Sequence, residues 1–201
     1  MKRLLLIIVA LIATSATLSA QMTLDARSMQ IYDSKPKSAI VPFENGISGK
    51  VEFDETGRVT KVSIQDFYMT FTWRPDNTRI TVKTYTNGEN TGAEYINIIE
   101  YNDRVAHYEM GGTRVKLTYN KWNKLISTEA EEGGIKATAT YIYDNEKRDS
   151  TPRFIEVSSS TGRTMSQEVL DVTLDSYGNW IETTIDANGN IMHQTREIEY
   201  Y

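Results

Sequence analysis

The stretch FYMTFTWR, Phe67 to Arg74, alternates apolar and polar side chains with a period of two residues. One side of an extended chain would carry all of its large apolar residues: Phe67, Met69, Phe71 and Trp73. Successive side chains of a strand point to opposite faces of a sheet. The stretch therefore predicts a β-strand with one apolar face and one wet face.

The same period continues along the chain from about residue 50. TRVKLTY, Thr113 to Tyr119, again places apolar side chains at every second position, and no long window shows the spacing of an amphipathic helix. Short turn signals separate these stretches: Arg74-Pro75-Asp76-Asn77, Asn87-Gly88, Asn102-Asp103, Gly111-Gly112, Gly133-Gly134 and Thr161-Gly162. Strands joined by such turns pair with their neighbours in sequence and form an antiparallel meander.

We therefore predict an all-β fold, an antiparallel meander of about a dozen hairpin-connected strands. A flat sheet of that size would leave its apolar face bare. The sheet must then curl into an open or partly closed barrel, or fold into a sandwich, and the sequence leaves these alternatives open.

The first twenty residues have the order of a secretory signal peptide. Lys2 and Arg3 precede an apolar run from Leu4 to Ala13, which is shorter than the roughly 20 residues of a membrane-spanning helix. We expect cleavage near Ala20 and export to the periplasm or the extracellular space. The chain has no cysteine, so the exported domain must be stable without disulfides.

Three segments follow from these patterns: a signal peptide at 1–20, an N-terminal leader at 21–49 and a β-meander domain at 50–201. The leader contains Pro36 and Pro42 and shows no sustained period. We expect it to contribute one strand near Met29 to Tyr32 and then to cross the surface. The charged segment from Asp144 to Arg153 is predicted to be a long hairpin loop, a common place for binding residues.

The charge balance excludes one class of partner. Removal of Lys2 and Arg3 with the signal peptide leaves 20 basic against 27 acidic residues. Nucleic acids need clustered basic side chains, so we expect no nucleic-acid partner. No later segment has the pattern of an integral membrane span.

A short phrase recurs along the chain. It consists of an apolar residue, Asp or Asn, two free positions, Gly or Asn, a polar residue and a second apolar residue, and it occurs at 53–59, 119–125, 174–180 and 185–191. The Asp or Asn side chain can accept a hydrogen bond from the backbone N–H two residues on, and Gly or Asn tolerates the left-handed conformation that closes a loop. The phrase therefore predicts a turn with both flanking apolar residues on the core face.

These motifs resemble those of the YD-repeat, or Rhs-like, proteins. FDETGRV, Phe53 to Val59, matches their consensus, Tyr141-Ile142-Tyr143-Asp144 matches their Tyr-x-Tyr-Asp core, and Asp175 to Trp180 is similar to an Asp-x-x-Gly-Asn-Trp variant. The resemblance covers about residues 50 to 201 in degenerate form. It implies a series of β-hairpins on an exported or surface-exposed bacterial protein, often linked to carbohydrate or protein binding.

Catalytic and metal-binding patterns are weak. His107 and His193 are isolated, and Ser158 to Gly162 is typical of a turn rather than of a nucleophile elbow. The turn at Asp186 to Asn190 lacks the spacing of a calcium-binding EF-hand loop, since Gly189 is fourth rather than sixth. Acids for glycoside hydrolysis are available but no spacing singles out a pair: Glu129, Glu131, Asp171 and Glu182. We predict a non-enzymatic protein without cofactor or metal.

Aromatic side chains are the remaining candidates. Six lie opposite the inferred core face or in turns, and we predict that they bind a ligand: Tyr68, Tyr85, Tyr108, Trp122, Tyr177 and Trp180. Exposed rings can stack on a sugar or anchor a protein partner, although aromatic residues also pair across strands. The leading interpretation is an exported non-catalytic protein that binds a glycan or a protein. The alternatives are an assembly component that pairs through its C-terminal edge strand, Ile191 to Tyr201, and a carboxylate glycoside hydrolase.

Overall fold

The computed structural model describes residues 24–32, 34–42, 47–149 and 151–201. The predicted signal peptide and its cleavage point lie outside these residues. A short 3₁₀-helix, Ala26–Met29, precedes the sheet.

Fifteen antiparallel strands follow within the described residues, so the predicted all-β meander is confirmed. Their bounds are β1 Pro36–Pro42, β2 Ser48–Phe53, β3 Val59–Ile64, β4 Phe67–Trp73, β5 Arg79–Thr86, β6 Glu89–Tyr101, β7 Val105–Met110, β8 Thr113–Tyr119, β9 Leu125–Glu132, β10 Ile135–Ile142, β11 Phe154–Ser159, β12 Thr164–Leu174, β13 Trp180–Ala187, β14 Asn190–Thr195 and β15 Glu197–Tyr200. Each strand from β1 to β14 pairs with its neighbours in sequence. The predicted turns connect them, and the segment from Asp144 to Arg153 is the long connection between β10 and β11.

The sheet curls into a nearly closed barrel, which decides between the barrel and the sandwich. β14 and β15 are the two ends of the hydrogen-bonded strand order, yet only Arg196 separates them in sequence. β14 pairs with β13, and β15 pairs with β1 through Ala39 opposite Ile198. One continuous segment thus joins both ends of the sheet, and the described strand order leaves a single seam without hydrogen-bonded pairing.

This pairing corrects the expectation of an exposed C-terminal edge strand. β15 is hydrogen-bonded to β1 of the same chain, and the Tyr201 hydroxyl donates to the Phe53 carbonyl oxygen over 2.8 Å. The C-terminal residues are used to close the barrel because this places Ile198 against the core. An assembly through the whole of Ile191 to Tyr201 would have to break these contacts.

The interior of the barrel is mainly apolar, and its outer wall is mainly polar with some exposed apolar side chains, such as Ile99 and Ile142. In β8, Val115, Leu117 and Tyr119 are buried, whereas Arg114 and Lys116 are on the other face. The main core extends from β1 to β9, and a smaller cluster around Ala139 and Ile155 continues it across β9 to β11. This alternation fits a sheet with water on its outer face.

The connections alternate between the two ends of the barrel because the strands run up and down. The turns at 54–58, 74–78, 102–104, 120–124, 144–153 and 175–179 therefore all lie at one end, which we call the capped end. The two-residue hairpin turns at 87–88, 111–112, 133–134 and 188–189 lie at the other.

The N-terminal leader departs from its predicted structure. Residues 29–32 form no strand, and the strand contributed by the leader is β1, Pro36–Pro42. Residues 24–32, which we call the plug, do not cross the surface but fill the capped end with apolar side chains that are almost completely buried, among them Leu24, Met29 and Ile31. The plug is buried because without it the core-facing residues at this end of the barrel would be exposed to water.

Candidate functional site

Three copies of the recurring phrase form the same turn at the capped end. Asp54 Oδ1 accepts from the backbone N–H of Thr56 over 2.9 Å and of Arg58 over 3.0 Å. Asn120 Oδ1 and Asp175 Oδ1 accept from the equivalent residues two and four positions on, over distances of 2.8 to 3.0 Å. The positions that close the loop have positive φ: Gly57, Asn123 and Gly178. The turn itself is confirmed, and the second hydrogen bond was not foreseen. The expectation that both flanking apolar residues face the core is wrong for Leu174, which is 47% exposed.

The fourth copy forms a different turn. Asp186 Oδ1 accepts from the Gly189 N–H over 2.6 Å, and Asn188 and Gly189 make a two-residue hairpin loop with φ of 55° and 87°. Both central residues with positive φ are typical of a type I′ turn. The hairpin interpretation of Asp186 to Asn190 is confirmed.

A buried carboxylate organises the plug. Asp25 is 3% exposed, and its Oδ2 accepts from the Arg27 guanidinium over 2.7 Å and from the Tyr101 hydroxyl over 3.0 Å. Its Oδ1 accepts from the Ser28 backbone N–H over 3.1 Å and from the Tyr119 hydroxyl over 3.5 Å. Asp25 therefore connects the plug to the barrel wall at β6 and β8.

Charge and burial shift the pKa values around this carboxylate. Although burial opposes it, the neighbouring Asp25 raises the pKa of Arg27 above its ordinary value. Burial, reinforced by Asp25, raises the pKa of Tyr101 and Tyr119 well above 10. The tyrosines therefore stay protonated and donate, while Arg27 stays charged.

A cup with a volume of about 490 Å³ opens at the capped end beside the plug. Four turns and the plug line it, with hydroxyl and amide side chains supplied by Ser34, Thr56, Asn77, Asn102 and Asn123. Asp25, Arg27, Arg58 and Tyr101 complete the wall, and the exposed Asp103 also borders the cup. A concave site of this size and polarity suits a small polar ligand.

Arg58 lies in the cup wall above two aromatic rings. Its guanidinium carbon lies 5.0 Å from the Trp73 ring centroid and 5.7 Å from the Tyr101 ring centroid. Trp73 is itself oriented by a hydrogen bond of 3.1 Å from Nε1 to the Val59 carbonyl oxygen. Asn77 contributes a buried Oδ1 that accepts no hydrogen bond from the described residues.

Two of the predicted ligand-binding aromatics lie at the capped end. Trp122 is 36% exposed in the 120–124 turn, next to Asn123 of the cup, and the ammonium groups of Lys121 and Lys147 lie about 5.1 and 5.0 Å from its ring. Tyr177 is 57% exposed in the 175–179 turn, with its ring 4.2 Å from that of Tyr200. Their binding role stays a prediction.

Two others form a pair on the outer wall. The rings of Tyr68 and Tyr85 stack across β4 and β5 with centroids 4.5 Å apart and an angle of 8° between their planes. Lys61 Nζ lies 4.9 Å from the Tyr68 ring. The contact is a cross-strand aromatic pair, as the alternative interpretation expected, and a ligand role for it stays a prediction.

The expectation that Tyr108 and Trp180 face outward is wrong. Tyr108 is 2% exposed because it shares the inner face of β7 with Ala106, and burial raises its pKa well above 10. Trp180 is 5% exposed because Ile181, an extra residue at the start of β13, shifts the alternation there. Neither ring is accessible to an external ligand.

The candidate catalytic residues do not converge. His107 and His193 lie on β7 and β14, which are far apart in the sheet. Glu129 and Glu131 are on β9, where Glu129 pairs with Lys136, and Asp171 and Glu182 are exposed on β12 and β13. Among the described residues no group of three His, Cys, Asp or Glu side chains could hold a metal ion.

The sequence analysis missed the principal residues of the cup, namely Asp25, Arg27, Arg58 and Asn77. Asp25 and Arg27 are two residues of opposite charge in a stretch that otherwise contains only uncharged residues. This is a weak signal for a buried ion pair. A stronger signal was the alternating up-and-down direction of the hairpin-connected strands. Every second connection of an up-and-down barrel lies at the same end, so the Asp- and Asn-rich turns could have been assigned to one end by counting.

No family model and no curated protein matches this chain. Among solved structures, the chain is similar to the crystal structure of a porin-like protein from Bacteroides uniformis, with a TM-score of 0.41 and 13% sequence identity. The match covers 82% of this chain and 62% of that one, so this chain spans about three fifths of its length. Function must therefore be argued from the side chains of the site.

The described residues include no helix with the length and apolar character needed to cross a membrane.

Proposed function

We propose that the protein is an exported, non-catalytic β-barrel that binds a carbohydrate at its capped end. The cup carries this proposal, because its hydrogen-bonding groups come from separate turns and converge on one concave surface. Carbohydrates offer many hydroxyl groups, which amide and hydroxyl side chains can bind as donors and acceptors.

The rigidity of the site supports binding. The turns that line the cup are held by side-chain hydrogen bonds, and the plug is held by the Asp25 contacts. A site that is already ordered loses little entropy when a ligand binds.

The surroundings of the cup support a sugar over a purely polar solute. Trp122 presents a partly exposed ring beside Asn123, and Tyr177 presents another at the same end. Planar rings cover the apolar faces of sugar rings, while the amides bind the hydroxyls. The predicted signal peptide and the mainly polar outer wall support an exported protein surrounded by water.

A glycan array probed with residues 21–201 tests the proposal. We expect a defined set of bound glycans, and we expect Trp122→Ala and Asn123→Gly to weaken their binding. Asn123→Gly is suitable because glycine adopts the positive φ of 60° and removes only the amide.

Tyr95→Ser on the outer wall is the matched control, since Tyr95 is 56% exposed and remote from the capped end. It should leave binding unchanged. The absence of any bound glycan would contradict the proposal. Binding that survives both cup variants but is lost in Tyr85→Ala would move the site to the aromatic pair on the outer wall.

A further inference from the structure

The side chain of Arg58 is held in place, and none of the described residues pairs with its charge. Its backbone N–H donates to Asp54 Oδ1 and its carbonyl oxygen accepts from the Asp54 N–H over 2.9 Å, so the turn fixes its base. The rings of Trp73 and Tyr101 lie under its guanidinium. Stacking on aromatic faces orients the planar group while leaving its N–H edges free.

Two of the nearby acids, Asp25 and Asp54, are already engaged. Asp25 pairs with Arg27 over 2.7 Å, and Asp54 accepts from the Thr56 hydroxyl over 2.6 Å as well as from the turn backbone. Asp103 borders the cup at an exposed position. Within the part of the chain that the structure describes, the Arg58 guanidinium makes no hydrogen bond or ion pair.

We propose that the ligand of the cup is an acidic sugar whose carboxylate binds to Arg58. This inference rests on the proposed function and adds the ligand class. A guanidinium binds a carboxylate through two parallel N–H···O bonds, and such charge-assisted bonds are about twice as strong as neutral ones.

Amide side chains of the cup fit the same ligand. Asn77 and Asn102 line the cup together with Arg58. Amides can donate to and accept from sugar hydroxyls. A hexuronic acid carries a carboxylate and several hydroxyls on one ring, so it offers both groups together.

The net negative charge of the chain means that an acidic sugar must be recognised by contacts inside the cup. Acidic residues outnumber basic ones, so the protein as a whole repels an anion. Selectivity for an acidic sugar must then come from short-range contact with Arg58 rather than from long-range attraction.

The test is a calorimetric titration of residues 21–201 with three disaccharides of one linkage. One ends in glucose, the second in glucuronic acid and the third in a sulfated glucose. We expect the glucuronic acid form to bind at least about tenfold more tightly than the glucose form. We expect Arg58→Gln to abolish this preference while weak binding of the glucose form persists, and Arg58→Lys to restore part of it.

Arg79→Gln is the matched control, because its guanidinium also lies over a tyrosine ring, Tyr95 at 5.2 Å, but on the outer wall. Circular dichroism should show that all variants remain folded. Equal affinity for the glucose and glucuronic acid forms, a preference that persists in Arg58→Gln, or tighter binding of the sulfated form would overturn the carboxylate assignment and leave the proposed function standing. If none of the three disaccharides binds and the glycan array is also negative, both the carboxylate assignment and the proposed function fail.

Discussion

The guanidinium carbon of Arg196 lies 3.8 Å from the centroid of the Trp180 indole. Its Nε donates to the carbonyl oxygen of Trp180, and its other nitrogens donate to the carbonyl oxygens of Met29 and Gln30. Burial lowers the pKa of Arg196 to about 9, so the group is charged at neutral pH. One residue thus joins the bend between β14 and β15, the start of β13 and the plug.

We predict that Arg196→Met destabilises the protein by about 3 kcal/mol or more, because it leaves buried carbonyl oxygens without donors. Urea unfolding followed by tryptophan fluorescence would measure the change. Arg79→Met on the outer wall is the control and should cost less than about 0.5 kcal/mol. Equal effects of the two changes would refute a central role for Arg196.

Asp25→Asn should cost about 2 kcal/mol, because Arg27 loses its counter-charge in a partly buried position. Combining it with Arg27→Gln should recover part of the loss, since the double variant leaves no uncompensated charge. A double-mutant cycle in thermal unfolding measures the coupling. Strictly additive losses would show that the pair contributes nothing as a pair.

The turn at Gly57 should tolerate asparagine better than valine, since asparagine adopts positive φ in the equivalent turn at Asn123. Gly57→Val should cost about 1–2 kcal/mol and Gly57→Asn clearly less, because a branched side chain is strained in the left-handed region. Space does not decide the outcome, because an added Cβ would meet Ala26 Cβ at an ordinary 3.7 Å. Melting temperatures of both variants test the order, and the reverse order would contradict the turn assignment.

The buried tyrosines make the fold sensitive to alkali. Burial raises the pKa of Tyr32 to about 12, above the value near 10 of an unfolded chain. A raised pKa for the phenol means that the folded state holds its proton more tightly. This contribution to stability is complete below pH 10 and is lost as the pH rises from 10 to about 12.

We therefore expect the free energy of unfolding to fall between pH 10 and 12. We also expect the phenolate absorbance to rise in two steps, the second together with unfolding. Tyr32→Phe should reduce the pH dependence in this range. A single titration step near pH 10 with the fold intact would contradict the burial of these hydroxyls.

Local side-chain patterns were sufficient to predict the strands and turns. The alternation in Phe67 to Arg74 reappears as β4, and Asp54, Asn120 and Asp175 form the turns that their spacing predicted. These features depend on contacts within a few residues, which is why a single sequence contains them. The class of the sheet followed from repeating the same pattern, but the prediction of about a dozen strands fell short of the fifteen in the described residues.

The face of the sheet on which a side chain lies was predictable only where no β-bulge shifts the alternation. Trp180 was grouped with aromatics that lie opposite the core face or in turns, but it is buried because the extra residue Ile181 shifts the alternation of β13. A bulge depends on how two strands meet, and the pattern of one strand does not reveal it. The buried position of Trp180 then allows Arg196 to stack on it.

By itself, the sequence determined an acidic cysteine-free chain and a meander of hairpins with Asp- or Asn-based turns, and it predicted a signal peptide at 1–20. Only the tertiary structure decided that the meander closes through residues 190–200, that residues 24–32 plug one end and that Arg58 stands over the cup without a partner among the described residues. The physical reason is the separation along the chain of the residues that make each contact. Turns and alternation arise from neighbouring residues, whereas closure, plugging and the cup depend on contacts between residues far apart in sequence, such as Asp25 with Tyr101 and Arg196 with Met29.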